Sequence, residues 1–70
     1  MHGYDKFYPL PTGNSEEPIY IDYDLYKSIN KRPGYSIYEL AKLMGWSSGK
    51  VYVSVQRLEK EGLVHTEKDI

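Results

Sequence analysis

The sequence contains no cysteine, and this absence removes several classes of chemistry. Without thiols the chain forms no disulfide, no thiolate metal site and no cysteine nucleophile. Long apolar runs are also missing. The longest unbroken runs, Ile19–Ile21 and Val51–Val53, are three residues each, whereas a helix needs about 20 apolar residues to cross a bilayer. We therefore expect no membrane span.

The first residues also lack the basic stretch and apolar run of a secretory signal, so the expected location is cytoplasmic. Histidine is scarce: His2 and His65 stand far apart, and neither lies within a spaced set of carboxylates. Gly49-Lys50 has neither the preceding glycine nor the following Ser or Thr of a phosphate-binding loop. We expect no metal site, no cofactor and no enzymatic activity.

What is present is the composition of one small folded domain. Seventy residues, 40% of them hydrophobic and 27% charged, suit a single module with a modest core. The formal net charge is −1, but residues 25–60 carry +5, residues 1–24 carry −4 and residues 61–70 carry −2. Clustered positive charge attracts polyanions, although lysines that merely solvate helices give the same pattern.

Residues 1–18 are rich in proline, glycine and small polar residues, which favour turns or extended chain. The sequence predicts that they form a flexible or partner-contacting N-terminal arm, and that residues 19–70 form the folded domain. The segment also contains Tyr4, Phe7, Tyr8 and Leu10, and a wholly disordered arm rarely carries so many large apolar side chains. We expect these side chains to pack on the domain or on a partner, and the arm is the candidate contact of a homodimer.

The pattern of apolar residues predicts three helices, of which the first covers about Asp22 to Lys31. Extended structure at Ile19–Ile21 is a competing interpretation, because these residue types also favour strands. The second helix starts with a capping box formed by Ser36 and Glu39. Gly45 then supplies a left-handed stop, so this helix is only about two turns long.

The third helix is predicted to run from a cap at Ser47 or Ser48 to Glu61. A glycine follows it and favours its termination. After this glycine, Leu63–Thr66 is typical of a short strand. Tyr35, between the first two helices, is the candidate partner of this strand in a small sheet.

The spacing between the second and third helices predicts a helix-turn-helix. Ala41 is small enough to let the two helices approach closely, and Gly45 permits the backbone reversal. Val51 then anchors the third helix on the second. An ordinary helical hairpin is the alternative interpretation of the same spacing.

Two stretches carry a family resemblance: Tyr38–Ser47, which reads YELAKLMGWS, and Leu58–Val64, which reads LEKEGLV. Over residues 21–66 the sequence resembles winged helix-turn-helix DNA-binding domains of the kind found in MarR-type and ArsR-type transcriptional regulators. The resemblance implies a mainly α fold of the α+β class, with three helices and a minimal β-sheet. It also implies that the third helix enters the major groove of double-stranded DNA and that the protein regulates transcription.

A helical wheel of the third helix, at about 100° per residue, places Val51, Val55 and Leu58 on one stripe, which we expect to be buried. The opposite surface and its flanks are the predicted DNA contact. Serine hydroxyls and basic side chains suit phosphates, lysine or arginine suits guanine, and glutamine suits adenine. The predicted DNA-binding residues are Ser47, Ser48, Gly49, Lys50, Tyr52, Val53, Gln56, Arg57 and Lys60.

Val53 admits two interpretations at the centre of this surface. It can pack on a thymine methyl group, or it can contact a protein partner together with Tyr52. The main prediction is sequence-specific binding of double-stranded DNA by a transcriptional regulator. The alternative is a non-enzymatic protein–protein interaction module on the same winged-helix scaffold.

The wing is expected to be truncated, because only eight residues follow Gly62 and a full wing needs two strands and a turn. A single recognition helix then forms most of the DNA contact. Even one complete DNA-binding module buries about 600–1,000 Å², so one helix alone is a small interface. A homodimer is therefore the economical arrangement.

Overall fold

The computed structural model describes residues 5–10 and 22–68. Within these ranges the chain forms three helices and two strands, which confirms the predicted mainly α fold with a small sheet. The alternative of extended structure at Ile19–Ile21 lies outside the described residues. The same holds for the predicted boundary between arm and domain, at residues 18 and 19. In chain order the elements are β1 (Lys6–Pro9), α1 (Tyr23–Lys31), α2 (Ile37–Met44), α3 (Ser48–Lys60) and β2 (Val64–Glu67).

Both ends of α2 follow from the residues that flank it. Ser36 Oγ accepts a hydrogen bond from the backbone N–H of Glu39 (3.3 Å), and Glu39 Oε1 accepts one from the backbone N–H of Ser36 (2.9 Å). At the other end, Gly45 has a φ of 72°, a left-handed conformation that costs glycine little. The predicted capping box and glycine stop are confirmed.

α3 is the longest helix of the described chain, and it begins as predicted at a serine cap. Ser47 Oγ accepts a hydrogen bond from the backbone N–H of Lys50 (3.2 Å). The predicted stripe of Val51, Val55 and Leu58 is buried. Because these three side chains face the core, the opposite side of α3 faces solvent.

One hydrophobic core receives side chains from all five elements. On α2 the buried side chains are Ile37 and Leu40, and Ala41 and Met44 pack against the core while remaining partly exposed. Burial of such side chains supplies most of the stabilisation in a domain of this size. The buried hydrophobic residues are Phe7, Leu25, Ile29, Ile37, Leu40, Val51, Val55, Leu58, Leu63 and Val64.

The sheet differs from the predicted pairing of Tyr35 with Leu63–Thr66. β2 pairs antiparallel with β1, and Phe7 stands opposite Thr66. On its other side Phe7 bridges Tyr35: the Phe7 N–H donates to the Tyr35 carbonyl (3.1 Å), and the Gly34 N–H donates to the Phe7 carbonyl (2.8 Å). β1 therefore lies between Tyr35 and β2, because it bonds to both through opposite edges of its backbone.

Lys6–Pro9, within the predicted N-terminal arm, form β1, and Phe7 packs on the domain, which is one of the two alternatives expected for the apolar side chains of the arm. Phe7 is 4% exposed, so its ring belongs to the core of this chain and is not available as a contact between two copies. Aromatic residues favour strands. Pro9 is tolerated because its nitrogen, like that of Phe7, faces away from β2, and no bond between the strands is lost.

The described part of the chain ends one residue after β2, at Lys68, so the predicted truncation of the wing stays a prediction. The strand beside β2 comes from the N-terminal end of the described residues. β1 is thereby the partner of β2 in the sheet that packs against α3.

Candidate nucleic-acid interface

The outer face of α3 is open to solvent. This outer face consists of Gly49, Lys50, Val53, Gln56 and Lys60, all of which are exposed. Val53 is 49% exposed, which makes it an apolar side chain within a polar surface. A partner that approaches α3 from solvent meets these residues first.

The N-terminal end of α3 presents hydroxyl and backbone N–H groups. Ser47 is exposed, and because its oxygen accepts the bond from Lys50, its hydroxyl hydrogen is available to donate elsewhere. Ser48 is half-buried. A Cβ at Gly49 would meet no atom within 4 Å, so packing does not require glycine there, and the missing side chain leaves the backbone open. The helix dipole favours an anion at this end.

Lys50 is held in place by an aromatic ring. Its Nζ lies 4.2 Å from the centroid of the Trp46 ring, which is within the range of a cation–π interaction. Trp46 itself packs against the core and is half-buried. The ring therefore provides a fixed support that keeps the ammonium group beside the start of α3.

Tyr52 and Gln56 form a pair one turn apart on α3. Gln56 Nε2 donates a hydrogen bond to the Tyr52 hydroxyl (2.8 Å). Tyr52 is half-buried against the core, whereas Gln56 is exposed. One amide N–H of Gln56 is thus used, while its carbonyl oxygen and second N–H remain the groups that a bidentate contact with adenine needs.

An ion pair with a buried carboxylate ties α3 to the start of α1. Asp22 precedes α1 and is completely buried (0% exposed), yet its side chain does not cap that helix. The carboxylate instead accepts hydrogen bonds from Arg57 Nε (2.9 Å) and Nη2 (2.7 Å) and from Ser54 Oγ (2.5 Å). A bidentate pair of this kind is both strong and directional. It fixes how α3 sits on α1.

The pair shifts the protonation equilibria of both partners. Hydrogen bonds from Arg57 hold the pKa of Asp22 below its ordinary value, although burial acts in the opposite direction, and the bond from Ser54 also lowers it. The hydrogen bond to Asp22 raises the pKa of Arg57. Both side chains are therefore charged throughout the neutral pH range.

The nine predicted DNA-binding residues are not equivalent in the structure. Gly49, Lys50, Val53, Gln56 and Lys60 share the outer face, and the two serines stand at its N-terminal end. Tyr52 lies partly under the surface, bonded to Gln56. The Arg57 side chain is 42% exposed, but two of its nitrogens bind Asp22 and its charge is balanced there. A DNA contact by Arg57 stays a prediction.

Three residues that shape this surface were not among the predicted site residues: Trp46, Asp22 and Ser54. The four-residue spacing of Trp46 and Lys50 was the available signal for their contact. Asp22 and Ser54 gave no comparable signal, because their bond joins residues 32 positions apart. Such a bond depends on how the helices pack.

Other kinds of site find no support in the described part of the chain. No group of three or more His, Asp or Glu side chains in residues 5–10 and 22–68 is arranged to hold a metal ion. No helix in these ranges is both long and apolar enough to cross a membrane.

Comparison with known proteins gives one match. A family model described as winged helix-turn-helix DNA-binding matches residues 20–65. The matched range contains α1, α2 and α3 and reaches into β2, whereas β1 lies outside it. Searches of curated proteins and of solved structures found no match.

Proposed function

The chain belongs to the winged helix-turn-helix DNA-binding family, and we propose that it is a transcriptional regulator that recognises a specific sequence of double-stranded DNA through α3. The observation that carries this proposal is the outer face of α3. It is exposed from Gly49 to Lys60, while the opposite stripe of the same helix is buried. Major-groove readers use a helix supported in this way.

The side chains at the start of α3 suit the DNA backbone. Ser47 and Ser48 offer hydroxyl donors, and Lys50 offers a charge beside the positive end of the helix dipole. Gly49 lets the helix backbone approach a phosphate closely, because nothing projects from it. These contacts position the helix but carry no sequence information.

The middle of the outer face is suited to reading bases. Gln56 presents the amide that pairs with adenine, and Val53 presents methyl groups that pack on thymine. Lys60 extends the positive charge to the C-terminal end of the helix. Arg57 contributes indirectly in this proposal, since its bond to Asp22 fixes the orientation of α3.

We further propose that the protein acts as a homodimer. One α3 helix alone offers a small contact, and specific recognition by even one module buries about 600–1,000 Å². Two copies place their recognition helices about 34 Å apart, one turn of DNA. The bound site then consists of two half-sites related by symmetry.

Selection of duplexes from a randomised pool tests the proposal, with binding of the selected and random duplexes then measured at two salt concentrations. We expect a consensus of two half-sites that binds at least about 10³ times more tightly than random duplex. Affinity should fall steeply with salt, because phosphate contacts release counterions.

A pool that stays random, with binding that is still steeply salt-dependent, would contradict sequence-specific recognition. Failure to bind either duplex would contradict the DNA proposal as a whole. In that case the exposed Val53 favours the alternative of a protein-interaction module, whose affinity responds weakly to salt.

A further inference from the structure

The hydrogen bond between Gln56 and Tyr52 limits what Gln56 can offer to a base. A glutamine amide has two N–H donors on its nitrogen and one carbonyl acceptor. One of these donors is bound to the Tyr52 hydroxyl at 2.8 Å. While this bond is kept, Gln56 presents one donor and one acceptor to a partner outside the protein.

Adenine and guanine need different sets of hydrogen-bonding groups. In the major groove, adenine exposes an acceptor, N7, beside a donor, the N6 amino group, whereas guanine exposes two acceptors, N7 and O6. A bidentate contact with adenine therefore requires one donor and one acceptor, which is the set that remains on Gln56. A bidentate contact with guanine requires two donors, so Gln56 must break its bond to Tyr52 before it can form one.

Tyr52 is suited to holding this amide because its own ring is held by the core. It is half-buried and packs against the hydrophobic core, whereas Gln56 is exposed one turn further along α3. The last torsion of a glutamine side chain is otherwise broad and allows the amide to turn. The bond restricts this rotation in the free protein, so less side-chain entropy is lost when DNA binds.

We propose that Tyr52 is a positioning residue that makes the base contact of Gln56 selective for adenine over guanine. The inference rests on the proposed function, because it requires α3 to lie in the major groove. It gives Tyr52 a role different from the direct DNA contact predicted from the sequence, since its hydroxyl acts through Gln56. The preference at this base position is set by the pair, while Gln56 alone contacts the base.

The positioning role is tested on the full chain without DNA. Gln56 is the only glutamine of the sequence, so the NMR signals of its side-chain amide are identified directly. In Tyr52→Phe, which keeps the ring and removes the hydroxyl, NMR relaxation should show faster motion of the Gln56 amide than in the native chain. The amide of Asn30, bonded to the Tyr26 carbonyl on α1 at 2.9 Å, is the internal control and should not change. Equal mobility of the Gln56 amide in both proteins overturns the positioning role.

Base selectivity is tested by selecting duplexes from a randomised pool with the native chain and with variants. Gln56→Ala identifies the base position that Gln56 reads, because the preference there should disappear. Tyr52→Phe should lower the preference for adenine over guanine at this position about two- to tenfold, the fold-change that corresponds to one neutral hydrogen bond. Affinity for random duplex and its salt dependence should stay unchanged, because the lost hydroxyl carries no charge. A merely structural role would instead lower the affinity for all duplexes alike.

Tyr26→Phe is the matched control, because Tyr26 is also half-buried against the core but lies on α1. It should leave the base preference unchanged. An adenine preference that survives Tyr52→Phe, or that falls equally in Tyr26→Phe, overturns this inference and leaves the proposed function standing. A native chain that prefers guanine at the position read by Gln56 has the same consequence. A pool that stays random with the native chain overturns the proposed function, and the selectivity falls with it.

Discussion

Lys50 and Arg57 both place a positive charge on α3, but their surroundings give them different roles. The Lys50 ammonium rests on the Trp46 ring at an exposed helix end. Arg57 is bonded through two nitrogens to the buried Asp22. Lys50 is therefore suited to meet a phosphate, whereas Arg57 stabilises the orientation of the helix.

Lys50→Gln should weaken binding to random duplex DNA and reduce the slope of log affinity against log salt by about one unit. The reason is that one phosphate contact, with its released counterion, is lost. Lys31→Gln is the matched control, because Lys31 is an exposed lysine that lies on α1 and not on α3. Fluorescence anisotropy measures the affinity of both variants for DNA. The same loss of affinity in both would show that a positive charge contributes to binding regardless of where it lies in the structure.

Asp22→Asn should lower the free energy of unfolding by about 2 kcal/mol, the scale of hydrogen bonds to a charged group. Asparagine keeps the shape and one acceptor oxygen, but it loses the charge and turns an N–H₂ donor toward the donors of Arg57. Asp24→Asn is the control, since Asp24 is exposed and pairs only with the exposed Lys27 at 3.7 Å among the contacts of the described residues. Urea unfolding at neutral pH measures the free energy of unfolding of both variants. Equal values would mean that the Asp22 carboxylate does not stabilise the fold.

The effect of Asp22→Asn on the free energy of unfolding should depend on pH. Because the folded-state pKa of Asp22 is lowered, its charged form contributes stability above the ordinary aspartate pKa of about 4. That contribution is lost as pH falls below about 4 through the lowered pKa. The difference between the native chain and Asp22→Asn should therefore narrow in acid, whereas a difference that stays constant down to low pH would contradict the ion pair.

Residue roles could be predicted from the sequence where they depend on helical periodicity. The buried stripe of Val51, Val55 and Leu58 and the exposed outer face both follow from counting along one helix. The partner of Arg57 could not be found in this way, because Asp22 lies 35 positions earlier in the chain. Ser54, a polar residue next to the stripe, is buried because that carboxylate receives its hydroxyl.

Among the elements, the helices were more predictable than the strands. The capping box of α2, the left-handed Gly45 and the serine cap of α3 are signals carried by adjacent residues. β1 has no such signal: it is four residues long, ends in proline and pairs with residues at the other end of the described chain. Its pairing is decided by long-range packing, which local propensity does not report.

Phe7→Ala should destabilise the domain by about 3 kcal/mol or more, since it removes a buried aromatic side chain. Such a loss is a large part of the stability of a small domain. Leu10→Ala is the control, because Leu10 follows β1 directly but is exposed. Thermal unfolding should show a much lower Tm for Phe7→Ala alone. Similar small effects of both changes would mean that β1 does not belong to the folded domain.

For the whole molecule, the distribution of charge matters more than the net charge of −1. The positive segment, residues 25–60, contains all of α2 and α3 and most of α1, and the acidic segments flank it in the sequence. A polyanion responds to the local potential. The residues that define the helix-turn-helix spacing also lie within this one segment, close together in the sequence. Local sequence patterns were therefore enough to predict the family and the general fold.

The most direct test of DNA recognition by α3 is an amide chemical-shift titration of the full chain with a selected duplex. The largest shifts should fall at Ser48–Val53 and continue along the exposed side of α3 to Lys60, with small shifts in β1 and at the outer side of α1. Shifts concentrated in the sheet or on α1, with α3 unchanged, would contradict the central claim.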